Sequence, residues 1–302
     1  MTPLEQNNKL KKSAVVASIS VSVFLILFKF VAFIKTDSLA VFSSLVDSAT
    51  DLFSSIISFV AVYYATKPAT FSHRYGYGKT EAISALMQAI FVGASGVFVI
   101  FDGINRLFNP VSVSSIGVGV CTMLVSIFIT FILVLYQLYV AKKTNSLAIK
   151  ADMAHYVVDF LTNSAVVVSL LLVDVFDFVY FDVIAALFIS LYLIYNAYSI
   201  AKESVDQLTD KELDDDIRKN IEKIVLECKN VLGLHDLRTR NIANVYYIDF
   251  HLEIKADTPL LSAHKISDSV EKKILETYPA SQILIHQDPY GIVEERLDSQ
   301  LK

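Results

Sequence analysis

Up to residue 200 the chain repeats one pattern, long apolar runs parted by short polar breaks. Six runs reach the ~20 residues needed to cross a hydrocarbon core of ~30 Å. They lie at 13–34, 39–66, 80–107, 111–140, 147–173 and 179–200, and each predicts a membrane-spanning helix. Several exceed the minimum length, which predicts tilt or protrusion into water. After Ile200 the pattern becomes that of a soluble domain. Residues 211–229 place Ile217, Ile221, Ile224 and Val225 at helical spacing. Strands are expected at 237–241 and 245–254, the second alternating through Tyr247-Ile248-Asp249-Phe250-His251-Leu252-Glu253. A second amphipathic helix is expected at 261–278 and a third strand at 282–286. The predicted architecture is an all-α, six-helix transmembrane bundle over 1–208, then an α+β domain over 209–302. The αββαβ order of that domain resembles a ferredoxin-like half. Its sheet edge predicts pairing with a second copy.

Composition agrees with a membrane protein. The 302 residues are 54% hydrophobic and only 19% charged, and mean hydropathy is +0.51. A net charge of −5 argues against a nucleic-acid partner. Cys121 and Cys228 make no disulfide framework or Cys-rich metal cluster and read as buried thiols. The N-terminus is polar through Lys12 and the next run is long enough to span, so no cleavable signal peptide is expected. Basic residues beside the runs are lopsided. Lys9, Lys11, Lys12, Lys67, Arg74, Lys79, Lys142, Lys143, Lys150 and Lys202 fall on one side, and only Lys35 and Arg106 on the other. The positive-inside rule puts both termini, and hence the C-terminal domain, in the cytoplasm.

Against this apolar background two polar pairs stand out, Asp47/Asp51 in the second run and His155/Asp159 in the fifth. Residues four apart share a helix face. Ionisable groups in a span are costly and point to function. Asp51 and Asp159 each fall about 18 Å below the outer end of the core, at ~1.5 Å per residue. The pairs therefore overlap to within about a turn, which permits one site of three carboxylates and one imidazole. That set suits Zn²⁺ first, then Fe²⁺, Co²⁺, Cd²⁺ and Mn²⁺, whereas Mg²⁺ and Ca²⁺ prefer oxygen cages. All four ligands bind metal deprotonated, so protons compete for the site. The competing reading is polar glue between helices. Asp152 shares the face of His155 and Asp159 and is either a further ligand or a residue at the mouth of the site. Lys29, inside the first run, requires a carboxylate or carbonyl partner. In the tail, His251 and Glu253 share one strand face, as do His286 and Asp288.

Five stretches carry a resemblance to the cation diffusion facilitator family, nearest its YiiP/FieF-type zinc and ferrous-iron exporters. They are Ser44-Leu45-Val46-Asp47-Ser48-Ala49-Thr50-Asp51, the run from Ala151 through His155 to Asp159, and His73-Arg74-Tyr75-Gly76-Tyr77-Gly78-Lys79-Thr80-Glu81. The others are His235-Asp236-Leu237-Arg238-Thr239-Arg240 and His286-Gln287-Asp288-Pro289. The resemblance implies a transport site of Asp47, Asp51, His155 and Asp159. It also implies alternating access driven by proton exchange, in a homodimer of a bacterial inner membrane. A binuclear cytoplasmic zinc site is implied at His235, His251, His264, His286 and Asp288, with Asp288 bridging. The family's loop site, one Asp and two His, falls here on Thr70, His73 and Tyr77, so it is expected to be absent or weak. The family's inter-subunit interlock maps to Lys79 and Asp210.

Three functions compete at this stage. One is divalent-metal efflux by metal/proton antiport. The second is an intramembrane metallohydrolase, disfavoured because no His-Glu-x-x-His helix occurs and four protein ligands leave no open coordination position. The third is a membrane-anchored metal sensor.

Overall fold

Each apolar run folds as a long helix. The computed structural model describes residues 3–36, 39–108, 118–176, 181–292, 296 and 300. Its helices are α1 (Pro3–Thr36), α2 (Leu39–Ala65), α3 (Lys79–Phe108), α4 (Val118–Thr144), α5 (Leu147–Phe176) and α6 (Phe181–Leu208). Residues 111–117 and 179–180, expected within the fourth and sixth spans, lie outside the described residues. Among the described residues, Glu5–Lys35, Ser44–Ala65, Lys79–Phe101 and Thr122–Thr144 are long and apolar enough to cross a membrane.

The burial pattern is the reverse of a soluble bundle. Ser18, Ser22, Ser55, Ser58, Ser84, Gln88 and Gln137 are buried, whereas Leu27, Phe98, Phe128 and Phe188 are exposed. Lipid tails are as apolar as leucine, so nothing drives large apolar side chains inward. Helices instead associate through small residues and buried hydrogen bonds. Gly96 illustrates the close approach: a Cβ there would lie 3.0 Å from Ile194 Cγ1 and 3.3 Å from the Ser190 carbonyl, both on α6. In the same region α1 packs on α2 and α4, and α5 packs on α3 and α4.

One ion pair ties α1 to α3 inside this unit. Lys11 Nζ lies 2.8 Å from Glu81 Oε1, with both side chains almost fully buried. Ser146, just before α5, donates to the other Glu81 oxygen. Removing one member of a buried pair strands the other charge, at a cost of about 3–5 kcal/mol. Lys11→Met is therefore expected to lower the melting temperature of the detergent-solubilised protein markedly. Thermal unfolding followed by circular dichroism checks this.

The chain divides into two compact units, Met1–Val205 and Asp206–Lys302. In the second unit the order is α7 (Asp215–Leu226), β1 (Gly233–Ile242), β2 (Val245–Ile254), α8 (Leu260–Thr277) and β3 (Ser281–Pro289). Antiparallel β1–β2 and parallel β2–β3 make a sheet of order β1-β2-β3. Its core is Ile221 and Val225 of α7, Ile248, Phe250 and Leu252 of β2, and Val270 and Ile274 of α8.

Three of the boundaries that differ from expectation in this unit have a local reason. Helix α7 starts at Asp215 rather than 211, because Glu212 turns aside to accept from the Thr239 backbone N–H at 2.9 Å and from its hydroxyl. Strand β1 starts at Gly233 rather than 237. A bulge between His235 and Arg238, with Asp236 at φ 52°, interrupts the alternation. Strand β3 runs three residues past His286, through polar Gln287 and Asp288, because those residues pair with Leu252 and Glu253.

Candidate metal centres

Asp51 of α2 and both members of the α5 pair meet inside the membrane unit. His155 Nε2 lies 3.0 Å from Asp51 Oδ1 and 3.9 Å from Asp159 Oδ2. One ligand atom from each of the three residues falls within 4.8 Å of the others. Tetrahedral Zn²⁺ with bonds of ~2.0–2.2 Å sets its ligand atoms ~3.3–3.6 Å apart, and the two observed separations bracket that range. Asp159 Oδ2 is buried and has no hydrogen-bond partner among the described residues. A buried acceptor without a partner is costly unless something else satisfies it. A divalent cation does so.

The other two acidic residues of this region part company with the cluster. Asp47 lies one turn before Asp51 on α2, is exposed, and is outside the three-residue group. Asp152 is fully buried and serves as a hydrogen-bond hub. Its Oδ2 accepts from Ser18 Oγ at 2.6 Å and Gln137 Nε2 at 2.7 Å, and its Oδ1 from Ser58 Oγ at 3.2 Å. Those bonds fasten α5 to α1, α4 and α2. Gln88 Nε2 of α3 extends the hub through Ser58 Oγ at 2.9 Å. Of the two sequence readings for Asp152, this geometry favours neither ligand nor mouth residue, because its oxygens are taken up in joining helices. Asp152→Ala removes the acceptor shared by three buried donors. Ser18 Oγ keeps the Ala14 carbonyl and Gln137 Nε2 keeps Ser18 Oγ, whereas Ser58 Oγ loses its acceptor. A buried donor left unsatisfied costs about 1–3 kcal/mol. Lower thermal stability with unchanged metal stoichiometry is the expected result, read by melting and metal counting on one sample.

One turn above the hub, the Tyr156 hydroxyl meets Ser55 Oγ at 2.7 Å and also meets Ser22 Oγ. These partners were missed in the sequence. Serines at helical spacing, 18/22 on α1 and 55/58 on α2, were the available signal. Lys29 finds the carbonyl partner expected of it, donating to Ser44 O at 3.0 Å and to Ser48 Oγ at 2.7 Å.

The loop before α3 holds no ligand group among the described residues. The His73 ring stacks on Tyr77 with centroids 4.4 Å apart, and His73 Nδ1 lies 3.1 Å from Ser72 Oγ. Thr70 Oγ1 meets the Tyr77 hydroxyl at 3.2 Å. Thr70 and Tyr77, which stand where the family has an acid and one imidazole, thus bond to one another. Asp210 pairs with Arg240 at 3.4 Å.

In the sheet unit, strand register does the gathering. His235 of β1 pairs with His251 of β2, which pairs with His286 of β3, so three imidazoles form a row across the sheet. Glu253 pairs with Asp288 two residues along. Asp288 Oδ2 lies 2.7 Å from His251 Nδ1 and 3.3 Å from His235 Nε2. Its Oδ1 lies 3.2 Å from His286 Nε2. Two groups of possible ligands overlap at His251: His235, Asp236 and His251, and His251, His286 and Asp288. Asp236 was not singled out from the sequence. The bulge that turns it inward leaves no periodic signature. His235 Nδ1 is buried with no hydrogen-bond partner among the described residues. His264 stands apart: it is exposed on α8, with its Nε2 3.5 Å from Asp268. Cys228 is buried, its thiol donating to the Ile224 carbonyl. Burial pushes that thiol above its ordinary pKa, so it is a poor metal ligand. Cys121 lies on α4, and its side chain is outside those described.

The family model described as the cation efflux transmembrane domain matches residues 15–209. A second, the cation efflux protein cytoplasmic domain, matches residues 213–290. The chain belongs to the cation-efflux family, the cation diffusion facilitators. As a cation-efflux protein it is a membrane transporter of divalent metal cations and not an enzyme, which removes the hydrolase alternative. It is 37% identical over 290 residues to the cation-efflux pump FieF of Serratia proteamaculans, covering 96% of each chain. It is 39% identical over 287 residues to protein p34 of Rickettsia rickettsii, covering 95% of each. Among solved structures it is similar to the metal-bound C-terminal domain of the CzcD transporter from Thermotoga maritima. That match has 25% identity and a TM-score of 0.25, and covers 26% of this chain and 93% of that one.

Proposed function

We propose that this cation-efflux protein exports Zn²⁺, with Fe²⁺, Cd²⁺, Co²⁺ and Mn²⁺ as lesser cargoes, in exchange for protons. The cluster of Asp51, His155 and Asp159 carries this reading. It sets two carboxylates and an imidazole at metal-ligand spacing within apolar helices, with one oxygen left unsatisfied. Asp47, on the same α2 face one turn away, completes the set when the ion arrives. Because every ligand must be deprotonated to bind, a proton gradient works against metal binding on the acidic side. Alternating exposure of one such site couples metal leaving the cell to protons entering.

The protein is read as six spans in an inner membrane, with both termini in the cytoplasm, working as a homodimer. Residues 1–208 form the transport domain. Residues 209–302 form a ferredoxin-like cytoplasmic domain in which His235, His251, His286 and Asp288 hold regulatory metal. The way Asp288 reaches His235 and His251 with one oxygen and His286 with the other supports a bridging role for it. His264 is assigned to this site by the family pattern alone, and its exposed position suits a ligand offered to a second copy.

The test is flux in proteoliposomes across a panel of divalent ions under an imposed pH difference. Accumulation of Zn²⁺ against its gradient, driven by the proton gradient, is expected. Zn²⁺ flux that ignores a clamped pH difference contradicts antiport and points to a passive channel instead.

A further inference from the structure

A site of three carboxylates in a low-dielectric interior has a defect as a carrier: it holds a divalent ion too well. Lys29 is placed to correct this. Its ammonium is buried, donating 2.7 Å to Ser48 Oγ and 3.0 Å to the Ser44 carbonyl. Both partners belong to the α2 segment that carries Asp47 and Asp51. Ser48 precedes Asp51 by three residues, a rise of ~4.5 Å along the helix. Asp51, Asp159 and Asp47 are the charges acting on Lys29. Neither of its bonds is to a carboxylate, so the positive charge is held near the site without occupying a ligand position.

The charge count explains what such a cation does. Three ionised carboxylates and one divalent ion leave one negative charge, which Lys29 cancels. In the empty site the same ammonium offsets part of the carboxylate repulsion. Lys29 therefore repels the bound ion and stabilises the empty site, and both effects favour release. Resting on the transport-site reading above, we propose that Lys29 is a positioning cation that sets the release step, by weakening the hold of Asp51, His155 and Asp159 on the metal.

Two variants separate charge from structure. Lys29→Gln keeps a hydrogen-bond donor and removes the charge, and Lys29→Arg keeps the charge. Zn²⁺ affinity is measured on full-length protein in nanodiscs, with the tail ligands removed by His251→Ala and Asp288→Ala. The proposal expects Lys29→Gln to bind Zn²⁺ about tenfold or more tightly, for a unit charge a turn or two away. Net efflux should slow while Lys29→Arg stays near wild type. A merely structural lysine predicts the opposite sign, weaker binding on its loss, and that result or unchanged affinity overturns the proposal. If Lys29→Gln fails to fold, Lys29→Arg decides: affinity and efflux near wild type support the charge, and weakened binding refutes it. A parallel Asp51→Ala control tells the two failures apart. If it binds Zn²⁺ normally, the site assignment is wrong; if it loses Zn²⁺ while Lys29→Gln binds no tighter, only the role of Lys29 is.

Discussion

Asp51→Ala is expected to abolish metal export, with initial Zn²⁺ flux in proteoliposomes falling by about 100-fold or more. Residues that merely hydrogen-bond to a ligand are worth 10–100-fold in metal affinity, so losing a direct ligand costs at least the top of that range. Asp51 sits 3.0 Å from His155 Nε2 and is one of the three groups that converge. Loss of fold is not the expected cause, because removing one of three clustered carboxylates relieves repulsion. An unchanged melting temperature, with wild-type assembly on size-exclusion chromatography, checks that. His155→Ala is expected to behave in the same way. The polar-glue reading predicts the reverse pattern: lowered stability with transport retained in whatever protein folds.

The second large effect belongs to the sheet domain. Asp288→Ala is expected to remove tail-bound metal, with apparent affinity falling by about 100-fold or more. All three row histidines lie within 3.3 Å of its two oxygens. Among the described residues, Asp236 and Glu253 each pair with only one of these histidines, His235. Transport through the membrane site is expected to continue at a reduced rate, since Asp51, His155 and Asp159 are untouched. A sensor with no transport role would have no flux to lose. Isothermal titration with Zn²⁺ on the full chain, paired with the flux assay, reads both quantities.

How far these features could be read from sequence depended on periodicity. The long helices and the 47/51 and 155/159 pairs were legible because a helix face repeats every three to four residues. The same logic overreached at Asp152. Its place on the face of His155 made it a ligand candidate, yet three donors from α1, α2 and α4 hold its oxygens. Those donors sit on other helices, and single-helix periodicity carries no information about which serine faces which carboxylate. In the tail, alternation located β2 to the residue. It missed the start of β1, where the bulge at Asp236 breaks the period, and the end of β3, where cross-strand pairing overrides polarity. His264 entered through the family pattern, and in one chain α8 points it at Asp268 instead. Lys29 was legible as a problem requiring a partner. Its solution, a serine and a carbonyl beside the aspartates rather than an aspartate itself, needed the fold.

The central claim is that the exported ion sits at Asp51, His155 and Asp159. Counting zinc per chain tests it most directly. Full-length protein carrying His251→Ala and Asp288→Ala, which silences the tail, is equilibrated with Zn²⁺ and counted by mass spectrometry. One ion per chain is predicted, and adding Asp51→Ala or His155→Ala should remove it. Zinc that persists at full stoichiometry after either addition, or that is already missing from the tail-silenced protein, contradicts the assignment.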